Sequence, residues 1–275
     1  MQKTISYQGQ KISYRVTGTG KPVLLIHGFG EDATVWRNQV QAPSNSPKGG
    51  RLEKFKFIIP DLPGSGQSEM IDDMSMEGMA EVLKNILDTE HPPSGGGGVR
   101  LIGHSMGGYI TLAFAEKYPD YLSAFGLVHS SAFADSEEKK STRRKGIDFI
   151  KEHGAFEFLE TATPNLFSQQ TKNEQPGLIE QQVAAGHNFS PEALVSYYEA
   201  MIKRPRRTEV LENTDLPVLF IMGKYDKAIP LEDVLLQCHL PGKSYIHVLQ
   251  NSGHMGMLEE PAKTNRALEQ FLLET

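Results

Sequence analysis

A serine between glycines, an aspartate and a histidine occur along this chain in an order that can support nucleophilic catalysis. The strongest signal is Gly103-His-Ser-Met-Gly107, followed by Gly108, directly after an apolar run and directly before a helical pattern. A G-x-S-x-G turn from strand to helix needs glycine two residues either side of the serine, because the tight bend brings backbone too close for side chains. Such a turn exposes the Ser105 hydroxyl and aims the Met106 N–H, at the helix N-terminus, towards a developing oxyanion. Serine at its free pKa is a weak nucleophile, so a base and an orienting acid are required farther along. Asp226 follows the apolar run Val218–Met222 in Gly223-Lys-Tyr-Asp226, and His254 follows Tyr245–Leu249 in Asn251-Ser-Gly-His-Met255. The separations are 121 residues from Ser105 to Asp226 and 28 from Asp226 to His254. His254 lies in a glycine-bracketed loop past a strand end, whereas the other eight histidines sit in the elbow, in or at the ends of strands, or in loops and charged helices. Asp61 and Asp135 compete with Asp226, but Asp61 lies in a proline-glycine turn that explains it structurally.

A second oxyanion donor belongs in the loop after the first parallel strand. That loop is His27-Gly-Phe-Gly30, and the Phe29 N–H is the candidate. Gly28 to Ala33 also fits the dinucleotide pattern G-x-G-x-x-G/A formally. That pattern wants an acid about 20 residues on, whereas Asp61 is 33 residues away and a histidine precedes the first glycine. Asp61-Leu-Pro-Gly-Ser-Gly-Gln-Ser68 lacks the Gly-Lys-Ser/Thr ending of a phosphate loop and reads as a shaped turn. The basic runs Lys139–Lys145 and Lys203–Arg207 read as solvated helix faces. Trp36, His129, Phe133, Ile229 and Met255 lie just past strand ends or in inserted sequence, and are candidates for a substrate pocket.

The elements that must position these groups are legible as well. Val23–His27, Phe55–Pro60, Val99–Gly103, Phe125–His129 and Val218–Met222 are continuous apolar runs, which belong in a sheet covered on both faces. Helical spacing over Ser75–Asp88, Met106–Lys117 and Glu260–Leu273 alternates with them, giving a doubly wound β-α order. Ile5–Tyr7 and Ile12–Val16 flank the turn Gln8–Lys11 and predict an N-terminal antiparallel hairpin. From about Phe133 to Arg207 strand signals stop and Pro164, Pro176, Pro191 and Pro205 break a charged helical stretch, the pattern of a lid inserted between core strands. Ala42–Gly50 and His91–Gly98 read as exposed, mobile loops.

Composition narrows the partners. Twenty-eight basic against 34 acidic residues leave a net charge of −6, which disfavours nucleic acid and acidic membranes and favours a small-molecule substrate. Cys238 is the single cysteine, so a disulfide framework or a cysteine-based metal site within one chain is excluded. The polar N-terminus and the lack of any 18-residue apolar run lead to the expectation of a soluble, cytoplasmic protein.

Taken together, His27-Gly28, Asp61–Ser68, Gly103–Gly108, Gly223–Asp226 and Ser252-Gly-His254 resemble the α/β-hydrolase superfamily over nearly the whole chain. His129-Ser-Ser-Ala-Phe-Ala-Asp135 is similar to its lid-bearing serine esterase, haloperoxidase-like and enol-lactonase-like branch. The resemblance implies an α/β fold with a mostly parallel eight-stranded sheet, an N-terminal antiparallel hairpin, helices on both faces and a helical lid. Core would comprise residues 1–132 and 211–275, and lid residues 133–210. Serine at 105 departs from the dehalogenases and epoxide hydrolases, which use aspartate there, and His104 departs from the asparagine that often precedes the serine in carbon–carbon hydrolases. The implied activity is hydrolysis of a small carboxylic ester through an acyl-enzyme on Ser105, with no cofactor and no metal, in a monomer or homodimer. Lactone, thioester or carbon–carbon bond hydrolysis by the same triad is an alternative, as is a ligand-binding receptor on a hydrolase scaffold.

Overall fold

The structure is a computed structural model that describes residues 1–40, 54–91 and 97–275. The loop expected over Ala42–Gly50 lies outside the described residues, as does most of the one expected over His91–Gly98.

Eight strands form one sheet: β1 (Gln2–Tyr7), β2 (Gln10–Thr17), β3 (Lys21–Ile26), β4 (Phe55–Pro60), β5 (Val99–His104), β6 (Leu122–Val128), β7 (Val218–Gly223) and β8 (Ser244–Leu249). Their order is β1-β2-β4-β3-β5-β6-β7-β8, with β2 antiparallel to β1 and β4 and every other neighbour parallel. The hairpin turn is tighter than the sequence suggested. It closes over Gln8 and Gly9 alone, both at positive φ, as a two-residue connection between right-twisted strands requires.

Continuous apolar strands are explained by two cores. Leu24, Ile26 and Leu101 feed the one beneath helices Met76–Glu90 and Met106–Lys117, while Val23, Leu25 and Ile102 feed the one beneath helix Pro261–Glu274. Successive side chains point to opposite faces, so a strand covered on both sides cannot alternate in polarity. Ser75 caps the first of these helices, its Oγ accepting from the Gly78 N–H at 3.0 Å.

Between β6 and β7 there is no strand. Six helices fill that stretch: Glu137–His153, Ala155–Ala162, Gln169–Glu174, Pro176–Ala185, Pro191–Lys203 and Thr208–Glu212. Pro176 and Pro191 open helices, where a missing N–H costs nothing, and Pro205 follows the end of one. The stretch is pinched at its base, where the Arg207 N–H donates to the Ala132 carbonyl at 2.8 Å. No helix among the described residues is long and apolar enough to cross a membrane.

Candidate active site

Ser105 joins β5 to helix Met106–Lys117 with φ +51° and ψ −117°, a conformation that costs an L-residue on the order of 1–3 kcal/mol. Its neighbours hold it there. The Ser105 N–H donates to the Val128 carbonyl at 2.9 Å, and its own carbonyl accepts from the Gly108 N–H at 2.9 Å and the Ser130 hydroxyl at 2.8 Å. A Cβ on Gly103 would strike the Gly107 carbonyl, and one on Gly107 would lie 2.6 Å from the carbonyls of both Ile26 and His27. Glycine is thus required at both ends of the turn by backbone approach. The serine side chain does not cap the helix. Its hydroxyl donates instead to His254 Nε2 at 2.8 Å.

The direction of that bond follows from the other ring nitrogen. His254 Nδ1 lies 2.8 Å from Asp226 Oδ2, and an ionised carboxylate can only accept, so the proton is on Nδ1 and Nε2 is free as a base. Asp226 accepts three further bonds: His129 Nδ1–H at 3.0 Å on Oδ2, and the Ala228 and Ile229 N–H groups at 2.9 and 2.8 Å on Oδ1. Burial alone would raise its pKa, but His254, His129 and these donors hold it below the usual carboxylate range. His129 Nε2 accepts from the Gly256 N–H at 3.2 Å, so this second imidazole is neutral, and burial pushes its pKa down.

Two other acids steady the same region, and sequence reasoning missed both. Glu31, 3% exposed, accepts on Oε2 from the Gly28 N–H at 2.7 Å and from His104 Nδ1–H at 3.0 Å. His104 Nε2 faces the His254 carbonyl at 3.0 Å. Both ring nitrogens of His104 meet acceptors, so the ring is an imidazolium paired with Glu31. Burial opposes both charges, yet their attraction and hydrogen bonding lower the Glu31 pKa and raise that of His104. Glu259 accepts from the Gly253 and Met255 N–H groups on Oε1, at 2.8 and 3.2 Å. On Oε2 it accepts from the Ser168 N–H and the Thr171 hydroxyl, at 2.8 and 2.7 Å. It thereby ties the loops either side of His254 to the inserted stretch, which also supplies the Leu166 carbonyl to the His254 N–H at 2.7 Å.

A cavity of about 640 Å³ opens over Ser105 and His254. Of the five expected pocket residues, Ile229 lines it. Trp36, His129, Phe133 and Met255 do not, and each has a physical reason. Trp36 and Met255 are fully buried in the core beneath helix Pro261–Glu274, Trp36 standing edge-on to His104 at 6.5 Å. His129 is spent on Asp226, and the Phe133 ring lies under the Arg206 guanidinium at 5.8 Å. Phe29 lines the cavity with its ring stacked on Tyr198 at 4.3 Å. No loop or turn bond within the described residues engages the N–H groups of Phe29 or Met106.

The competing acids are occupied elsewhere. Asp61 accepts from the Ala33 and Gln67 N–H groups, and Asp135 accepts from Arg143 and Arg204. The basic runs are less solvated than their charge suggested: Arg204 and Arg207 are buried, and Lys139 donates to the Ala228 carbonyl at 2.8 Å. His129, Asp226 and His254 bring ligand-type atoms within 4.8 Å of one another. An ion bound there would have to displace the Nδ1 protons of both histidines, which the Gly256 and Ser105 contacts keep in place.

Residues 21–261 match the family described as alpha/beta hydrolase fold. A thermophilic esterase from Thermogutta terrifontis superposes with a TM-score of 0.88 at 30% identity, over 100% of this chain and 98% of that one. The 2-hydroxy-6-oxononadienedioate/2-hydroxy-6-oxononatrienedioate hydrolase of Burkholderia vietnamiensis is 28% identical, across 95% of this chain and 91% of its own. The enol-lactonase from Burkholderia xenovorans LB400 shares the fold, with a TM-score of 0.86 at 19% identity over 98% and 100% of the two chains.

Proposed function

The chain belongs to the α/β-hydrolase fold family, and from that premise we propose that it is a serine hydrolase that cleaves small carboxylic esters through an acyl-enzyme. One observation carries the reading: Ser105 Oγ, His254 Nε2, His254 Nδ1 and Asp226 Oδ2 form a continuous line of two 2.8 Å hydrogen bonds. A ring protonated on Nδ1 offers its Nε2 lone pair to the serine proton, and the Asp226 carboxylate stabilises the imidazolium that results.

Ser105 Oγ attacks the ester carbonyl as His254 removes its proton. The N–H groups of Phe29 and Met106 receive the tetrahedral oxyanion, each worth about 3 kcal/mol in such sites. His254 then protonates the leaving alkoxide, and in the second half-reaction it deprotonates water to release the acid. The inserted helices act as a lid, contributing Leu166, Tyr198 and Met201 to the cavity wall above the serine. The esterase relative supports an ester as the scissile group, while the dienedioate hydrolase keeps a carbon–carbon bond as the alternative. A receptor on the same scaffold has no need of a base aligned on the serine.

Hydrolysis of p-nitrophenyl butyrate and labelling by a fluorophosphonate probe test the assignment, with lactone, thioester and diketone substrates run in parallel. Ser105→Ala should abolish both turnover and labelling. Labelling of the variant at the wild-type rate would refute the nucleophile.

A further inference from the structure

Beside the Ser105–His254–Asp226 line, the cavity wall carries hydrogen-bond donors that no group among the described residues uses. Tyr109 lies four residues after Ser105, in the first turn of the helix that begins at Met106, so its backbone stands about 6 Å along the axis from the serine. It lines the cavity and is 3% exposed, and its hydroxyl has no partner among the described residues. Tyr198 lines the same wall with its hydroxyl equally unpartnered, and burial pushes that phenol up to about 12, so it remains a donor.

Between the two rings lies an imbalance of charge. Arg143 Nε donates to Asp135 Oδ2 at 2.6 Å and Arg204 Nη2 donates to Asp135 Oδ1 at 3.0 Å. Two guanidiniums thus share one carboxylate: Asp135 and Arg204 are buried, while Arg143 is partly buried, its side chain 13% exposed. Arg204 is consumed by the Met201 and Phe133 carbonyls and by the Tyr109 ring, 3.7 Å from its Cζ. Arg143 lines the cavity, its Cζ 5.3 Å from the Tyr198 ring, and its Nη1 has no partner among the described residues. The other charged residues on the wall offset one another: Glu31 is paired with His104, and Glu138 and Asp233 equal Lys139 and Lys227 in number. Two guanidiniums on one carboxylate leave a positive excess at a wall open to the cavity, where an anionic group on a ligand meets both the charge and free donors.

We propose that Arg143, Tyr109 and Tyr198 form a carboxylate subsite, so that the preferred substrates are esters carrying a carboxylate a few bonds from the scissile carbonyl. The proposal rests on Ser105 being the nucleophile. One helical turn matches a dicarboxylic half-ester of roughly glutarate length.

The test compares kcat/KM for the mono-p-nitrophenyl ester of glutaric acid with that for p-nitrophenyl valerate, which matches it in chain length without the charge. Wild type should favour the anionic ester by about tenfold or more, the scale of a charge-assisted hydrogen bond. That ratio should collapse in Arg143→Gln and fall in Tyr109→Phe, a variant that removes one oxygen and keeps the ring. Free glutarate should also raise the melting temperature of Ser105→Ala, and the rise should vanish when Arg143→Gln is added. A wild-type ratio of one or less, or a ratio unchanged in both variants, overturns the subsite. Hydrolysis of valerate without anionic preference sinks the subsite and leaves the hydrolase reading standing. Stabilisation by glutarate in a protein that cleaves and labels nothing does the reverse.

Discussion

Glu31 and His104 form a buried ion pair, Oε2 to Nδ1 at 3.0 Å, that spans from the oxyanion loop to the main chain of the candidate catalytic base. Glu31 also accepts the Gly28 N–H, and His104 donates to the His254 carbonyl, so one carboxylate aligns two loops that converge on Ser105. Breaking such a pair from one side leaves the other charge buried and costs about 3–5 kcal/mol.

Glu31→Gln should therefore change how stability depends on pH. The folded His104 pKa is raised above 6.5, so its contribution is fully present below pH 6.5 and is lost as pH rises through the folded value. The folded His129 pKa is depressed, so the unfolded chain takes up a proton first and stability falls as pH drops below 6.5. Wild-type unfolding free energy should decline on the alkaline side, by up to about 1.4 kcal/mol per pH unit for one proton, and the melting temperature should fall with it. The variant should lose that alkaline slope and keep the acid one. Scans from pH 5 to 9 check this, and an unaltered alkaline slope would assign it to another group.

Asp226→Asn should lower kcat by roughly 10³- to 10⁴-fold, because an amide at that position donates where His254 Nδ1 must donate and selects the wrong tautomer. Steady-state kinetics on p-nitrophenyl butyrate, with circular dichroism to verify folding, measures it. A loss under tenfold would move the orienting role to another acid.

Gly107→Ala should destabilise by about 1–3 kcal/mol or more, since its Cβ would meet two backbone carbonyls at 2.6 Å that β3 cannot withdraw. Gly177→Ala is the matched comparison. Nothing lies within 4 Å of its Cβ, and it sits inside helix Pro176–Ala185, so a gain of up to about 1 kcal/mol is expected. Urea denaturation of both variants should move in opposite directions.

Glu259→Gln replaces one acceptor oxygen with a donor among four donors. Two of them would be stranded, at about 1–3 kcal/mol each. Amide exchange should quicken together at residues 166–171 and 253–256, because the same carboxylate fastens both. Faster exchange in one segment alone would show that they are not coupled through it.

Ser105 and the loops of Asp226 and His254 were legible because each follows an apolar run and carries glycine where backbone crowds. The sheet was legible for the same reason, since continuous Val, Leu and Ile runs fit only a doubly covered strand. Glu31 and Glu259 were not. A buried acid is indistinguishable in sequence from a surface one until the N–H groups it serves are brought to it by distant segments. Trp36 and Met255 fall past strand ends as expected, but position along the chain does not say whether a side chain turns into the cavity or behind it. Arg143 and Arg204 illustrate the same limit, as their charge suggested solvent while Asp135 draws both inward.

The hydrogen bond from Arg207 to Ala132 makes the two ends of a 74-residue excursion, residues 133–206, meet at the rim of the sheet. Whatever is threaded between those ends can lengthen, shorten or be exchanged without pulling β6 and β7 apart. A transplant cut at those two residues would therefore leave the sheet intact, provided that the incoming segment again meets the Glu259 carboxylate and the His254 N–H as residues 166–171 do.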